Sequence, residues 1–410
     1  MLKPETIEII KSTVPVLEVH GKAITTRFYE KLFESHPELL NLFNHGNQKQ
    51  GRQQTALANA VYAAAVHIDR LHEIMPAVKG IAHKHRSLGV TPEQYPIVGE
   101  NLLGAISEVL GDAATPEILG AWEEAYSVIA AAFIGVETEM ADEALHQPGG
   151  WAGFRKFTVR RKTAESGNIT SFYLVPEDGG ALAAFEPGQY VTVQMKIPGR
   201  EHLVNRQYSL SDRPGQPYYR ISVKKEPGAD TREPGVASTY LHEAVREGDT
   251  LLLSAPAGDF TLNRSEDTPV VLLSAGVGLT PLMSMLRTIR AEQPERSVAF
   301  IHSAADGGVH AMKDAMKDEG TAAADETCLR THICYTQPTE EDKAGGAFHS
   351  EGRLTAEKLK EITAEAGEHA DYYICGPVSF MRDMIGYLQK SGVPAESVHY
   401  EFFGPSLSLQ

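Results

Sequence analysis

The decapeptide IAHKHRSLGV, residues 81–90, sets two histidines two positions apart, and the face each one occupies decides how the first third of the chain folds. One intervening residue is no zinc spacing, because a helix turns the two side chains about 200° apart. With residues 74–88 placed on a helix, Ile74, Val78, Ile81, His85 and Leu88 fall within about 40° of one direction, and His83 lies about 180° away. His85 is therefore expected on the core face and His83 in water. A histidine on an apolar face is most often a packed side chain with one hydrogen bond, so a chemical role for His85 needs partners.

Candidate partners lie on other helical stripes. The long segment after Thr115 puts Trp122, Tyr126, Ile129, Phe133, Glu137 and Met140 on one face. Burying an unpaired carboxylate is costly, so Glu137 either meets a donor or lies far enough along its helix to reach solvent. Gln53, Leu57, Ala60 and Ala64 make a second stripe, whose small residues leave room for something flat. Phe28-Tyr29 and Phe43 add aromatic surface, and each also reads as ordinary core. Start signals at Ser35-His36-Pro37-Glu38, Thr91-Pro92-Glu93 and Thr115-Pro116-Glu117 complete an all-α domain over residues 1–147.

Beyond it the texture changes twice. Gln147-Pro148-Gly149-Gly150 ends the helical pattern. Alternating segments at 157–161, 169–175, 190–195, 218–224 and 250–254, with Gly/Pro turns between them, predict an antiparallel β-barrel over 151–264. PVVLLSAGVGLTPLMSMLRTI, residues 269–289, then reads as buried strand, glycine turn and helix. Further apolar strands at 298–303, 331–335, 372–375 and 398–402 alternate with helical segments, which makes residues 268–410 a doubly wound α/β domain.

Composition agrees with a multidomain globular protein: 410 residues, 42 % hydrophobic and 22 % charged. A formal charge of -16 opposes nucleic acid and anionic membranes as partners. Cys328, Cys334 and Cys375 cannot build a disulfide framework, and MLKPETIEIIKS lacks the apolar core of a signal peptide. No run reaches the roughly 18 apolar residues of a membrane span. A reducing cytoplasm is expected.

Two motifs carry chemistry in the later domains. On a strand, Arg206, Tyr208 and Leu210 share one face, and Gln207 and Ser209 the other. Arginine offers a fork for phosphate, tyrosine a plane for a flat ring, and serine a hydroxyl for a ring edge, although the tetrapeptide alone also reads as a polar sheet edge. Gly188-Gln189-Tyr190 ahead of it adds weight. So does Gly235-Val236-Ala237-Ser238-Thr239, which stands at a helix start whose N–H groups and hydroxyl can cradle a diphosphate. Gly276-Val277-Gly278-Leu279-Thr280-Pro281 permits close backbone approach to a pyrophosphate, but G-x-G-x-x-P departs from the dinucleotide fingerprint. Cys375-Gly376-Pro377, at another strand end, should reach the same crevice. Cys375 alone would be a buried structural thiol.

Together these residues resemble the flavohaemoglobins, with motifs in all three domains. The resemblance implies haem b, FAD and NAD(P)H as cofactors. His85 would be the proximal iron ligand, Tyr95 and Glu137 its hydrogen-bonded supporters, and Lys84 the ligand's neighbour. Tyr29 and Gln53 would form the distal pair, with Leu57 restricting access beside Phe28 and Phe43. Arg206, Gln207, Tyr208, Ser209, Gly235 and Ser238 would hold FAD, with Tyr190 on its adenine side. Gly276 to Pro281 and Cys375 to Pro377 would take the nicotinamide nucleotide. In the closing segment Glu401-Phe402-Phe403-Gly404-Pro405, an aromatic residue would cover the flavin and the glutamate would tune it. The implied activity is that of a nitric oxide dioxygenase: hydride passes to FAD, single electrons pass to the haem, and dioxygen with nitric oxide leaves as nitrate. The alternatives are a haem or flavin reductase and an oxygen or nitric oxide sensor. A methionine or histidine at position 53 would favour the reductase, and glutamine does not. A monomer is expected.

Overall fold

The computed structural model describes residues 2–43, 48, 51–228, 233–313, 316, 328–364 and 369–404. Two compact units share the chain. Among the described residues, one comprises those up to Phe154 with Gln194–Arg206 and Gly404, the other those of Arg155–Val193 and Gln207–Phe403.

The first unit is helical through α1 (Pro4–Ser12), α2 (Val14–Ser35), α3 (Arg52–Val66), α4 (Met75–Leu88), α5 (Gln94–Leu110) and α6 (Pro116–His146). Their apolar faces meet in one core that contains Ile24, Phe28, Leu32, Leu102, Ile106 and Trp122. Thr115 caps α6 as its spacing predicts, its hydroxyl accepting from the Ile118 N–H at 3.3 Å. The other two start signals do not cap α-helices. Ser35 is the last residue of α2 and donates back to the Lys31 carbonyl, while His36, held out of the α region ahead of Pro37, opens only a 3-10 turn over Pro37–Asn41. Thr91 lies in the turn before α5, where its N–H donates to Gln94 Oε1. Gly89 ends α4 one residue after Leu88, in the left-handed conformation at φ 79°. Helix α6 is long and apolar enough to cross a membrane by length and composition, although Glu123, Glu124, Glu137 and Glu139 break it into shorter apolar runs. Here it packs on α1, α4 and α5 as a helix of the globular core.

Six antiparallel strands follow: β1 (Phe154–Ala164), β2 (Ile169–Pro176), β3 (Tyr190–Met195), β4 (Val204–Ser209), β5 (Tyr219–Lys224) and β6 (Thr250–Ser254), in the order β4-β3-β6-β1-β2-β5. A bridge between Leu210 and Ile221 joins the two ends of that order and closes the sheet on itself. Helix α7 (Val236–Glu243) precedes β6.

The last part is a parallel sheet in the order β10-β9-β8-β7-β11-β12, built from β7 (Val270–Ala275), β8 (Val298–Ala304), β9 (Leu329–Tyr335), β10 (Ser350–Glu351), β11 (Asp371–Cys375) and β12 (Val398–Glu401). Strand β10, two residues long, is too short to leave a periodic signal. Between the strands lie α8 (Leu279–Glu292), α9 (Glu340–Gly345), α10 (Ala356–Thr363) and α11 (Val378–Lys390). Alternate β7 residues pack in opposite directions: Leu272 joins a core with α8, and Leu273 joins another with α10 and α11. Both faces are therefore covered, and the strand order reverses between β7 and β11, which is where such sheets bind ligands.

Candidate functional site

In the helical unit, His85 on α4 meets the buried carboxylate of α6. His85 Nδ1 lies 2.7 Å from Glu137 Oε1, and the Tyr95 hydroxyl donates to the same oxygen at 2.6 Å. Nδ1 is also 3.3 Å from that hydroxyl. Glu137 is 7 % exposed, so it does not reach solvent, and it finds the donors its burial requires. Tyr126 fixes Tyr95 from behind by donating to its backbone carbonyl at 2.6 Å. Burial, and next the carboxylate it serves, push the Tyr95 phenol far above its ordinary range, so Tyr95 remains a donor. With Nδ1 facing the carboxylate, Nε2 is the ring nitrogen left for a metal. Phe133 lies tilted to the imidazole, with ring centroids 6.0 Å apart.

His83, expected in water, is half-buried, and its Nδ1 is enclosed. Ala82 and Ser87 are fully buried as well, so α4 packs on more than the single stripe that periodicity shows. Lys84, next to His85 in the chain, directs its ammonium to the Gly404 carbonyl at 3.4 Å.

Tyr29 packs edge-on against Phe28 and Phe43 and is 7 % exposed. Burial drives its hydroxyl far up in pKa, which keeps it protonated. Among the described residues neither the Tyr29 hydroxyl nor the buried Gln53 Oε1 has a hydrogen-bond partner. Two such groups in an otherwise apolar cluster that includes Leu57 fit a small polar ligand. Along α3 only Ala64 and Ala65 are buried, while Gln53, Leu57, Ala60 and Val61 keep partly open surface. That surface suits a flat apolar group such as haem.

On the barrel, Ser209 is buried at the end of β4, Arg206, Gln207 and Tyr208 are half-buried, and the Gln207 amide donates to Thr192 Oγ1 at 3.2 Å. Tyr190 is buried against Gly258, where a Cβ would stand 3.0 Å from the ring. At the start of α7, the Ser238 hydroxyl is already engaged, donating to the Gly235 carbonyl and accepting from the Glu226 N–H. The neighbouring Thr239 hydroxyl is buried without a partner among the described residues, and so is better placed to meet a phosphate. Sequence reading quoted Thr239 but did not single it out, since nothing local separates it from Ser238. At the other end of α7, Lys162 donates to the carbonyls of Leu241, His242 and Val245 at 3.0, 2.6 and 2.9 Å, which caps the helix with a cation.

In the parallel sheet the two predicted ligand segments do come together. A Cβ on Gly278 would stand 2.2 Å from the Cys375 carbonyl oxygen and 2.6 Å from the Gly376 nitrogen, so only glycine lets this turn rest on the end of β11. Gly276 takes φ 54°, in the left-handed region. Leu279, Thr280 and Pro281 are buried and the Thr280 hydroxyl binds the Val277 carbonyl, which leaves backbone to face a ligand. Cys375 is fully buried beside Ser274 of β7 and Glu401 of β12, and burial drives its thiol well up in pKa. It is a packed thiol, not a nucleophile. Phe402 packs on the core behind β11, and Phe403 is 50 % exposed. Pro405 lies outside the described residues.

Comparisons with known proteins agree with this division. The globin family model matches residues 26–133, the oxidoreductase FAD-binding domain 156–262 and the oxidoreductase NAD-binding domain 272–385. A flavohemoprotein of Bacillus cereus is 56 % identical over 412 residues, covering all of both chains. One from Bacillus subtilis is 52 % identical over 409 residues, covering 100 % of this chain and 99 % of the relative. Among solved structures, the flavohemoglobin of Malassezia yamatoensis with bound FAD and heme is 26 % identical with a TM-score of 0.83, covering 98 % of this chain and 100 % of that one. The flavohem-like FAD/NAD binding domain of nitric oxide dioxygenase from Vibrio cholerae is 36 % identical with a TM-score of 0.53, covering 61 % of this chain and 99 % of that one.

Proposed function

The chain belongs to the flavohemoprotein family, and from that premise we propose that it is a nitric oxide dioxygenase, which joins nitric oxide and dioxygen to nitrate with NAD(P)H as reductant. It is an NAD(P)H-dependent oxidoreductase whose cofactors are haem, FAD and the nicotinamide nucleotide. When bound, the flavin accepts two electrons as hydride and releases them singly to the haem iron, where dioxygen and nitric oxide react.

The observation that carries the reading is the buried Glu137 at 2.7 Å from His85 Nδ1. A carboxylate there orients the imidazole and makes Nε2 a stronger donor to iron. Tyr95 shares the carboxylate and fixes its position. On α2, Tyr29 offers a protonated hydroxyl that can donate to a ligand gaining negative charge, and on α3 the buried Gln53 Oε1 has no partner among the described residues. A plain reductase has no use for that pair. Arg206 supplies a fork for the FAD phosphates, Tyr208 and Ser209 a plane and a hydroxyl for the isoalloxazine, and the first turn of α7, with Thr239, its N–H groups for the diphosphate. The backbone of Gly276–Pro281 and Cys375–Pro377 receives the nicotinamide nucleotide. The protein acts as a cytoplasmic monomer.

Each nitrate formed uses one electron and each nicotinamide supplies two. Nitrate and oxidised nicotinamide should therefore appear in a two-to-one ratio when nitric oxide is added to the aerobic holoprotein. Nicotinamide oxidation that nitric oxide does not accelerate, with no nitrate formed, would return the haem or flavin reductase reading.

The arginine has its own test. A charge-assisted hydrogen bond contributes roughly 1.5–3 kcal/mol, so Arg206→Ala should weaken FAD binding about ten- to a hundredfold and leave the haem in place. Undiminished flavin in the dialysed variant would remove Arg206 from the site.

A further inference from the structure

Beyond Ser209, the end of β4 runs through Leu210 and Ser211 into Asp212, a carboxylate only 5 % exposed. Both of its oxygens are committed. Oδ1 accepts from Arg287 Nη1 and from the Arg213 N–H, each at 2.9 Å. Oδ2 accepts from the Tyr218 hydroxyl at 3.1 Å and lies 3.4 Å from Arg220 Nη1. The Asp212 carbonyl accepts from the Ser284 hydroxyl at 2.7 Å, and Ser284 is fully buried. These partners come from two different layers. Arg220 is on β5 and is itself tied to Ser211, whereas Ser284 and Arg287 stand one turn apart on α8. Helix α8 begins at the glycine turn, so one residue grips both the end of the barrel strand and the helix that carries the nucleotide turn. Burial alone would raise the Asp212 carboxyl, but the charges of Arg220 and Arg287 hold it below the usual carboxylate range. Buried ion pairs of this kind fix geometry more than they add stability, because desolvating the charges offsets most of their attraction.

We propose that Asp212 is a positioning residue that sets the separation between the flavin at Tyr208 and Ser209 and the nicotinamide at the glycine turn, and through it the rate of hydride transfer. This rests on the assignment of those two sites above. In the step, the C4–H bond of the dihydronicotinamide breaks and both electrons travel with the hydrogen to N5 of the isoalloxazine. The nicotinamide leaves oxidised, and the flavin, taking one proton from water, is reduced by two electrons. Reacting atoms must approach to roughly 3–3.5 Å, and a misplacement of about 1 Å costs on the order of a hundredfold in rate.

The test uses the full-length holoprotein mixed anaerobically with NADH, and separately with NADPH, in a stopped-flow instrument. Asp212→Asn should lower the limiting rate of flavin reduction about ten- to a hundredfold, with flavin content and the apparent nucleotide affinity within about threefold of wild type. Amide hydrogens of residues 279–292 should exchange faster, because α8 loses its ion pair to the barrel strand and keeps the Ser284 hydrogen bond to the backbone at 212. Arg287→Gln breaks the same contact, so the Asp212→Asn/Arg287→Gln double variant should be no slower than either single one. Ser284→Ala removes a single hydroxyl and should slow the step by less, which keeps the idea testable if Asp212→Asn folds poorly. An unchanged limiting rate in folded Asp212→Asn or Ser284→Ala protein overturns the positioning role alone. So does a loss fully accounted for by missing flavin. A wild-type flavin that neither nucleotide reduces overturns the assigned electron route, and this role with it.

Discussion

His85→Ala protein is expected to emerge from purification with no haem bound through the protein, while His83→Ala protein retains its haem. The two histidines share one helix, so α4 itself is the common background of both variants. His85 presents Nδ1 to Glu137 at 2.7 Å and so has Nε2 free of that contact, whereas His83 stands two residues away on α4 with its Nδ1 enclosed. Removing His85 also strips the buried Glu137 of one of its two donors, which costs about 1–3 kcal/mol and should lower the melting temperature of the helical unit. His83 is half-buried, so its removal should cost more than an exposed change, yet leave the absorption spectrum of bound haem unaltered. Flavin absorbance in the same samples reports whether the rest of the chain has folded. Equal haem content in both variants, each with full flavin, would end the ligand role of His85.

What could be seen in the sequence follows from the range over which each signal acts. Helical periodicity put His85 and Glu137 each on an apolar stripe, because both placements depend only on neighbours within a few turns; Glu137 is buried, and His85 is half-buried like His83. It could not decide whether Glu137 reached solvent or a donor, since that donor lies 52 residues away in the chain and the pairing is a product of how α4 crosses α6. The glycine turn was legible for the same local reason, being a strand, two glycines and a helix. That Gly278 rests on the carbonyl of Cys375 depends on β11 inserting beside β7 after three intervening strands. His83 was misplaced because one stripe describes one packed face, and α4 is packed on more. Ser35 and Thr91 show the converse limit: a cap residue ahead of proline marks a boundary, but which side of it the helix lies on is settled by tertiary packing. Asp212 gave no signal at all. An acidic residue in a turn after a strand is ordinary, and its meaning lies in Arg287, 75 residues on.

Removing one oxygen atom from Tyr29 should separate the dioxygenase from a simple reductase. The hydroxyl is buried and stays protonated, and it has no acceptor among the described residues, so a ligand in the distal pocket is the partner that its geometry leaves open. A hydrogen bond from it to dioxygen that gains negative charge contributes about 1–3 kcal/mol, which is roughly five- to over a hundredfold in affinity, expressed mainly as faster dissociation. Phe at this position keeps the ring contacts with Phe28 and Phe43, so the pocket should hold its shape. Flavin reduction by NAD(P)H and onward transfer to an external dye should continue at the wild-type rate, because Tyr29 is on α2 and the residues assigned to FAD and the nucleotide belong to the barrel and the parallel sheet. The Tyr29→Phe protein should therefore lose nitric oxide consumption at limiting oxygen while its dye reductase activity is intact. Stopped-flow oxygen dissociation and nitric oxide electrode traces on one preparation decide the matter. An unchanged off-rate with full nitric oxide turnover would mean that Tyr29 only fills space, and the distal role assigned to its hydroxyl would fall.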